Sequence, residues 1–204
     1  MNISVNGVPT YYDVQITEDL NKHWMNITKE IIENGEVIQS IEIDGVEYQG
    51  DHSQLLMSQF DQIDSVKIIT MSMENSFYLT LQDLNQYATK VLEMMSDYIT
   101  PLYSGTIQEC RELSTVVESL EWIITTTNYL QHLVNTSKLT TDINHVINET
   151  VDKYNILLEM LTSELEWGNL IGFADIVQYE FIPTLEIFHS ASKEVGFPER
   201  DALQ

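Results

Sequence analysis

The sequence predicts an α+β protein in which a small strand-rich unit precedes a mostly antiparallel four-helix bundle. In the first third of the chain, short stretches alternate apolar and polar residues, as half-buried strands do. From Phe77 onwards the apolar residues recur every three or four positions, the spacing of amphipathic helices. The 204 residues, of which 43% are hydrophobic, can build a substantial core in two units, which we place at residues 1–74 and 75–204.

The first unit is predicted to contain two hairpins, one helix and a last strand. Dipeptides of the Asn-Gly and Asp-Gly type favour tight hairpin turns, and a threonine followed by acidic residues is typical of a helix start. The predicted elements are the Asn6-Gly7 hairpin, the Thr17 to Asn34 helix, the Asp44-Gly45 hairpin, a short polar segment at 51–60 and the Val66 to Met71 strand.

The order of these elements resembles that of the β-grasp, or ubiquitin-like, architecture. The resemblance covers residues 1–74 and rests on element order rather than on a sequence motif, so it implies no catalytic activity. The Gly-Gly tail that ubiquitin-like modifiers use for conjugation does not follow the last strand. What the resemblance does imply is a docking role, since small sheets often bind partners through an exposed face or edge strand.

The second unit is predicted to contain four amphipathic helices, at about 76–102, 106–134, 139–166 and 169–193. Short turns join them, so an up-down bundle with every apolar stripe facing a common centre is the simplest packing. Pro183 lies inside the fourth helix and should bend it. The stripe of the first helix consists of Phe77, Leu81, Leu84, Ala88, Val91, Met95, Tyr98 and Leu102.

The charge of the chain limits its partners. The 32 acidic and 9 basic residues give a net charge of -23, and both units share in the excess. Such a surface repels phosphate backbones and anionic lipid headgroups, so we expect neither a nucleic acid nor a membrane as partner. The acidic surface either serves solubility alone or forms a patch for a basic or amphipathic protein segment.

Cysteine content and the N-terminal sequence favour a cytoplasmic protein. Cys110 is the only cysteine, so an intramolecular disulfide is impossible, and its place on a predicted apolar stripe favours a buried thiol. The N-terminal residues lack the basic and apolar regions of a signal peptide. No stretch of the sequence is apolar over the length of a membrane span.

One motif suggests metal chemistry. Glu186-Ile187-Phe188-His189 is an E-x-x-H step, which di-iron helical bundles use twice together with two further glutamates. Only one such step is present, and Phe188 rather than Glu186 falls on the apolar stripe. Glu186 and His189 are therefore interpreted as solvated helix-face residues, with a metal site as the alternative, and no cofactor is predicted. Nucleotide-binding, zinc-protease and serine-hydrolase motifs are also missing, so no catalytic residue is assigned.

Candidate partner-binding residues lie around the predicted fourth helix. Tyr179 and Glu180 precede Pro183 by one turn, where freed backbone groups and a charged side chain come close together. Trp167 and Asp175 complete the candidate set, and the alternative is an ordinary helix surface. The aromatic residues of this region are interpreted as core rather than as a ligand-binding box; they are Trp122, Trp167, Phe173, Tyr179 and Phe181.

Three hypotheses about function follow. The leading one is a non-enzymatic interaction protein, an adaptor or an export-type or flagellar-type chaperone, whose acidic helices bind a basic or amphipathic protein segment. The second is a bundle enzyme with a metal held by Glu186 and His189. The third is a structural protein that associates with itself, for example as a homodimer.

Overall fold

The α+β class is confirmed by the structure, a computed structural model that describes residues 2–10, 17–49, 53–58, 62–103, 112–137 and 139–196. The chain divides into two compact units between Ser76 and Phe77. All the strands of the described ranges lie in the first unit. Among the described helices, none combines the length and the apolar character needed to cross a membrane.

The first unit contains a five-stranded mixed sheet with strand order β2-β1-β5-β3-β4. β1 pairs with β5 in parallel, and the other neighbouring strands are antiparallel. This arrangement is compatible with the β-grasp-like unit that the element order predicts. The strands are β1 (Asn2–Val5), β2 (Val8–Thr10), β3 (Glu36–Ile43), β4 (Val46–Gln49) and β5 (Ser65–Ser72).

Both predicted hairpin turns are present and have the expected backbone. Asn6 and Gly7 have φ angles of 49° and 78°, and Asp44 and Gly45 have φ angles of 48° and 89°. Two successive positive φ angles define the turn whose twist matches that of paired strands. The Asp44 carboxylate also accepts a hydrogen bond of 2.7 Å from the Ser65 amide, which ties the second turn to the start of β5.

Helix α1 (Thr17–Glu33) packs its apolar side on the sheet, and a short helix α2 (Ser53–Ser58) follows β4. Their buried side chains and those of the sheet form one cluster, as the helical spacing in α1 and the alternation in the strands predict. The members of this core include Leu20, Trp24, Ile27 and Ile31 from α1, Leu56 from α2, and Ile3, Ile41, Ile43, Val66 and Ile68 from the sheet.

The rest of the described chain is helical. Helix α6, a π turn and helix α7 follow each other without interruption, and we refer to residues 170–193 as the C-terminal helical segment. The elements are α3 (Met73–Ile99), a 3₁₀ turn (Thr100–Tyr103), α4 (Glu112–Ser137), α5 (Asn144–Glu166), α6 (Leu170–Ile176), the π turn (Val177–Phe181) and α7 (Ile182–Lys193).

Side-chain contacts show that the C-terminal helical segment runs antiparallel to α3. Thr89 in α3 lies 2.9 Å from His189, whereas Tyr103, just beyond α3, donates a hydrogen bond to Asp175. The residue numbers of the contacts rise along α3 and the following 3₁₀ turn while they fall along the C-terminal helical segment.

Helices α4 and α5 are antiparallel by the same criterion. Gln131 near the end of α4 bonds to Asn148 near the start of α5, and Val117 shares an apolar groove with Leu165 at the other end. The mostly antiparallel arrangement expected from the short turns is therefore present in the described helices.

Several predicted helix boundaries were wrong. Helix α3 begins at Met73 rather than 76, because the Ser72 hydroxyl accepts the Asn75 amide and caps the first turn. Helix α5 begins at Asn144 rather than 139. The Asn144 side chain donates to the Leu139 carbonyl at 2.6 Å, and such a bond offers the backbone a turn in place of a helix. The predicted start of the second helix at 106, and Cys110 with it, lies outside the described residues.

The predicted apolar stripes form the core of the second unit, with a few exceptions. The predicted stripe of the C-terminal helical segment is buried throughout and consists of Leu170, Phe173, Val177, Phe181, Leu185 and Phe188. In α3 the stripe is buried except for Tyr98. The exceptions among the described stripe residues of α4 and α5 are Leu113, Val117 and Leu165, which are half-buried, and Leu158, which is 46% exposed. The Tyr154 ring stacks on Phe181 with centroids 4.5 Å apart. The Tyr154 hydroxyl is buried without a hydrogen-bond partner in the described part of the chain.

Candidate functional site

The C-terminal helical segment changes its winding immediately before Pro183. In the π turn at Val177–Phe181, the Ile182 amide donates to the carbonyl five residues earlier instead of four. Proline has no amide hydrogen, and its ring crowds the carbonyl four residues before it, so a wider turn relieves both problems. Such turns occur frequently at functional sites. The sequence predicted a bend at Pro183; the structure has a π turn immediately before it, and this turn includes the candidates Tyr179 and Glu180.

A groove of about 330 Å³ lies between α5 and the π turn. Tyr179 and Ile187 line one side, and their side chains are 68% and 66% exposed. Lys153 and Glu149 of α5 line the other side. Lys153 Nζ lies 2.6 Å from Glu180 and forms an ion pair with it across the groove. The groove thus combines exposed apolar surface with charged side chains.

Asp175 lies in α6, four residues before Tyr179 of the π turn. The Tyr103 hydroxyl donates a 2.9 Å hydrogen bond to Asp175 Oδ1. Burial, this hydrogen bond and the negative charge of Asp175 raise the pKa of Tyr103 to about 12, and Tyr179 contributes to the same shift. Tyr103 therefore stays neutral and donates its hydroxyl hydrogen to Asp175.

Trp167 lies in the turn between α5 and α6, where its side chain is 84% exposed. The interpretation of the aromatic residues as core was thus wrong for Trp167 and Tyr179, and for Trp122, which is 40% exposed. Phe173 and Phe181 are buried as predicted. Of the four candidate residues, Tyr179 and Glu180 therefore lie in the π turn and Asp175 lies in α6 just before it, whereas Trp167 lies at the end of α5.

Glu186 and His189 lie in α7 and differ in their exposure to solvent. Glu186 is exposed, whereas His189 is only 7% exposed, so its interpretation as a solvated helix-face residue was wrong. His189 Nε2 lies 2.9 Å from the Thr89 hydroxyl, which is also within hydrogen-bonding distance of the Asn85 carbonyl. Burial and then the nearby Lys193 lower the pKa of His189. In the described part of the chain, no three histidine, cysteine, aspartate or glutamate side chains are grouped so that they could hold a metal ion.

The solvent-facing side of α5 was missed by the sequence reasoning. Ile156 and Met160 are 59% and 44% exposed, and they lie opposite the buried stripe that contains Tyr154, Leu157 and Leu161. The sequence contained a signal for this surface, because Ile156 and Met160 are apolar and four residues apart but lie outside the apolar stripe predicted for this helix. Lys153 and Ile187 were also missed, because only the packing of α5 against the C-terminal helical segment brings them together.

Comparison with known proteins gives a family without a function. A family model described as Domain of unknown function (DUF8042) matches residues 79–191, which include the groove and the whole of α5. No curated protein and no solved structure matches the chain.

Proposed function

Because the chain belongs to the DUF8042 family, whose function is unknown, we propose a function from its own geometry: a non-enzymatic protein-interaction module, an adaptor or an export-type chaperone, that binds a basic or amphipathic protein segment. The observation that carries the proposal is the groove beside the π turn. Two large apolar side chains, Tyr179 and Ile187, are each about two-thirds exposed at its edge. Aromatic side chains are enriched among the residues that dominate protein–protein binding.

The charges around the groove select the class of partner. Helix α5 carries five carboxylates, and Lys153 is its one basic residue apart from His145. Lys153 is already paired with Glu180, and His145 lies 3.2 Å from Glu149. The remaining carboxylates of α5 favour a basic partner and disfavour an acidic one. An amphipathic segment satisfies both requirements, because it offers apolar residues to Tyr179 and Ile187 and cations to α5.

Isothermal titration calorimetry with synthetic peptides is the direct test, because it detects binding wherever on the chain the peptide lies. The probe is a synthetic 21-residue peptide with leucines at the apolar positions of a helix and lysines elsewhere. Controls are a peptide of the same composition in non-amphipathic order and a peptide with glutamates in place of the lysines. The proposal expects tight binding of the first peptide alone.

Matched variants locate the binding surface. Replacing Tyr179 and Ile187 by serine should weaken binding of the basic peptide by about tenfold or more, since both lose apolar area at the groove. Met94→Ser is the control, because Met94 is 47% exposed on α3 and lies outside the groove. Equal binding by the groove variant and the wild type would refute the groove as the site. Failure of every basic amphipathic peptide to bind at low salt would refute the proposed function itself.

A further inference from the structure

We infer that the solvent-facing side of α5 extends the groove into a docking surface for a basic amphipathic α-helix of another protein, which lies along α5 in coiled-coil register. The inference rests on the proposed function and adds the surface, the conformation of the partner and the spacing of its charges. Two independent features of α5 carry it, namely an exposed apolar row and a row of carboxylates beside it.

The apolar row consists of Ile156, Met160 and Trp167, which are 59%, 44% and 84% exposed. Together with Ser163 these residues have spacings of four, three and four, which are the spacings of the seam positions of a coiled coil. Continued towards the start of α5, the same spacing reaches Lys153, which lines the groove. Lys153 therefore joins the apolar row of α5 to the groove between α5 and the C-terminal helical segment.

The row of carboxylates consists of Asp152, Glu159 and Glu166. They are exposed and spaced by seven residues, so they stay on the same flank of the apolar row over two heptads. In a coiled coil this flank carries the charges that choose the partner. None of the three takes part in an ion pair within the described residues. A partner helix with a lysine or arginine at every seventh position would meet each of them.

Charge also argues against a second copy of this chain as the occupant. Two antiparallel copies of α5 centred on Glu159 would place Glu159 opposite Glu159 and Asp152 opposite Glu166, and this flank of α5 has no lysine or arginine to offset them. Like charges in facing positions of paired helices are destabilising. The partner is therefore a helix with the opposite charge.

A charge-reversal experiment tests the inference. The variant is Asp152→Lys, Glu159→Lys and Glu166→Lys, and its control is Glu93→Lys, Asp97→Lys and Glu118→Lys, which changes the net charge equally at exposed positions of α3 and α4. All six positions are exposed, and circular dichroism verifies folding. The probes are the lysine peptide and the glutamate peptide, both with leucines at seam positions.

The inference expects the α5 variant to lose about tenfold or more in affinity for the lysine peptide and to gain affinity for the glutamate peptide, while the control keeps the preference of the wild type. Retention of the wild-type preference by the α5 variant would overturn the inference, and the proposed function would still stand if the lysine peptide binds. Sedimentation equilibrium tests whether a second copy of this chain occupies the surface instead. A wild-type dimer that Met160→Glu converts to monomer would also overturn the inference, since the surface would then serve self-association.

Discussion

Tyr154→Phe should stabilise the protein. The Tyr154 side chain is 1% exposed and its hydroxyl has no partner in the described part of the chain. Burial also raises the pKa of this phenol, so it stays neutral and cannot gain by ionising. A buried hydroxyl without a hydrogen bond costs about 1–3 kcal/mol, and phenylalanine keeps the ring that stacks on Phe181. We expect the free energy of unfolding to rise by about 1–3 kcal/mol.

Tyr87→Phe is the matched control for this prediction. The Tyr87 hydroxyl donates a 3.1 Å hydrogen bond to Ser119, so its removal should cost about 0.5–1.5 kcal/mol. Guanidinium denaturation followed by circular dichroism measures both variants against the wild type. The same chemical change should thus shift the transition in opposite directions at the two positions. A Tyr154→Phe variant less stable than the wild type would refute the reasoning, because the hydroxyl must then have a partner.

Three further predictions concern individual polar residues. The Asn169 side chain caps α6 by accepting the Gly172 amide, and Asn169→Ala removes this bond. Urea denaturation should show a free energy of unfolding lower by about 0.5–2 kcal/mol, and an unchanged midpoint would contradict the capping role. The hydrogen bond from the Ser65 amide lowers the pKa of Asp44 below its ordinary value of 3.8. The Asp44 carboxylate therefore stabilises the folded protein above pH 3.8, and this stabilisation is lost as the pH falls through the pKa of Asp44 in the folded state. An NMR titration that gives this carboxyl a pKa at or above 3.8 would contradict the prediction. Burial lowers the pKa of His189, so stability should decrease as the pH falls below the ordinary value of 6.5, and an imidazole titration by NMR at or above 6.5 would contradict this.

Local signals were sufficient to predict most of the fold. Asn6-Gly7 and Asp44-Gly45 specify their turns through backbone angles that other residues adopt at a cost, and the structure has both. The three-four spacing from Phe77 onwards predicted which side of α3 is buried. The start of α5 was wrong because Asn144 bonds back to Leu139, a side-chain bond that apolar spacing does not reveal.

The candidate site depended on contacts between distant parts of the chain, and prediction was weaker there. His189 is buried because Thr89 of α3 lies against it, 100 residues away in the sequence. Tyr179 and Glu180 were found through Pro183, whose effect on a helix is local. Lys153, which pairs with Glu180, could not be found in this way, because it lies on another helix.

The most direct measurement of the central claim is where a bound basic helix lies. A nitroxide label at the centre of the lysine peptide broadens the NMR signals of nearby residues. We expect strong broadening at Ile156 and Met160 on α5 and at Tyr179 in the π turn, with Met94 on α3 unaffected. Broadening spread evenly over the acidic surface, or confined to α3, would contradict it.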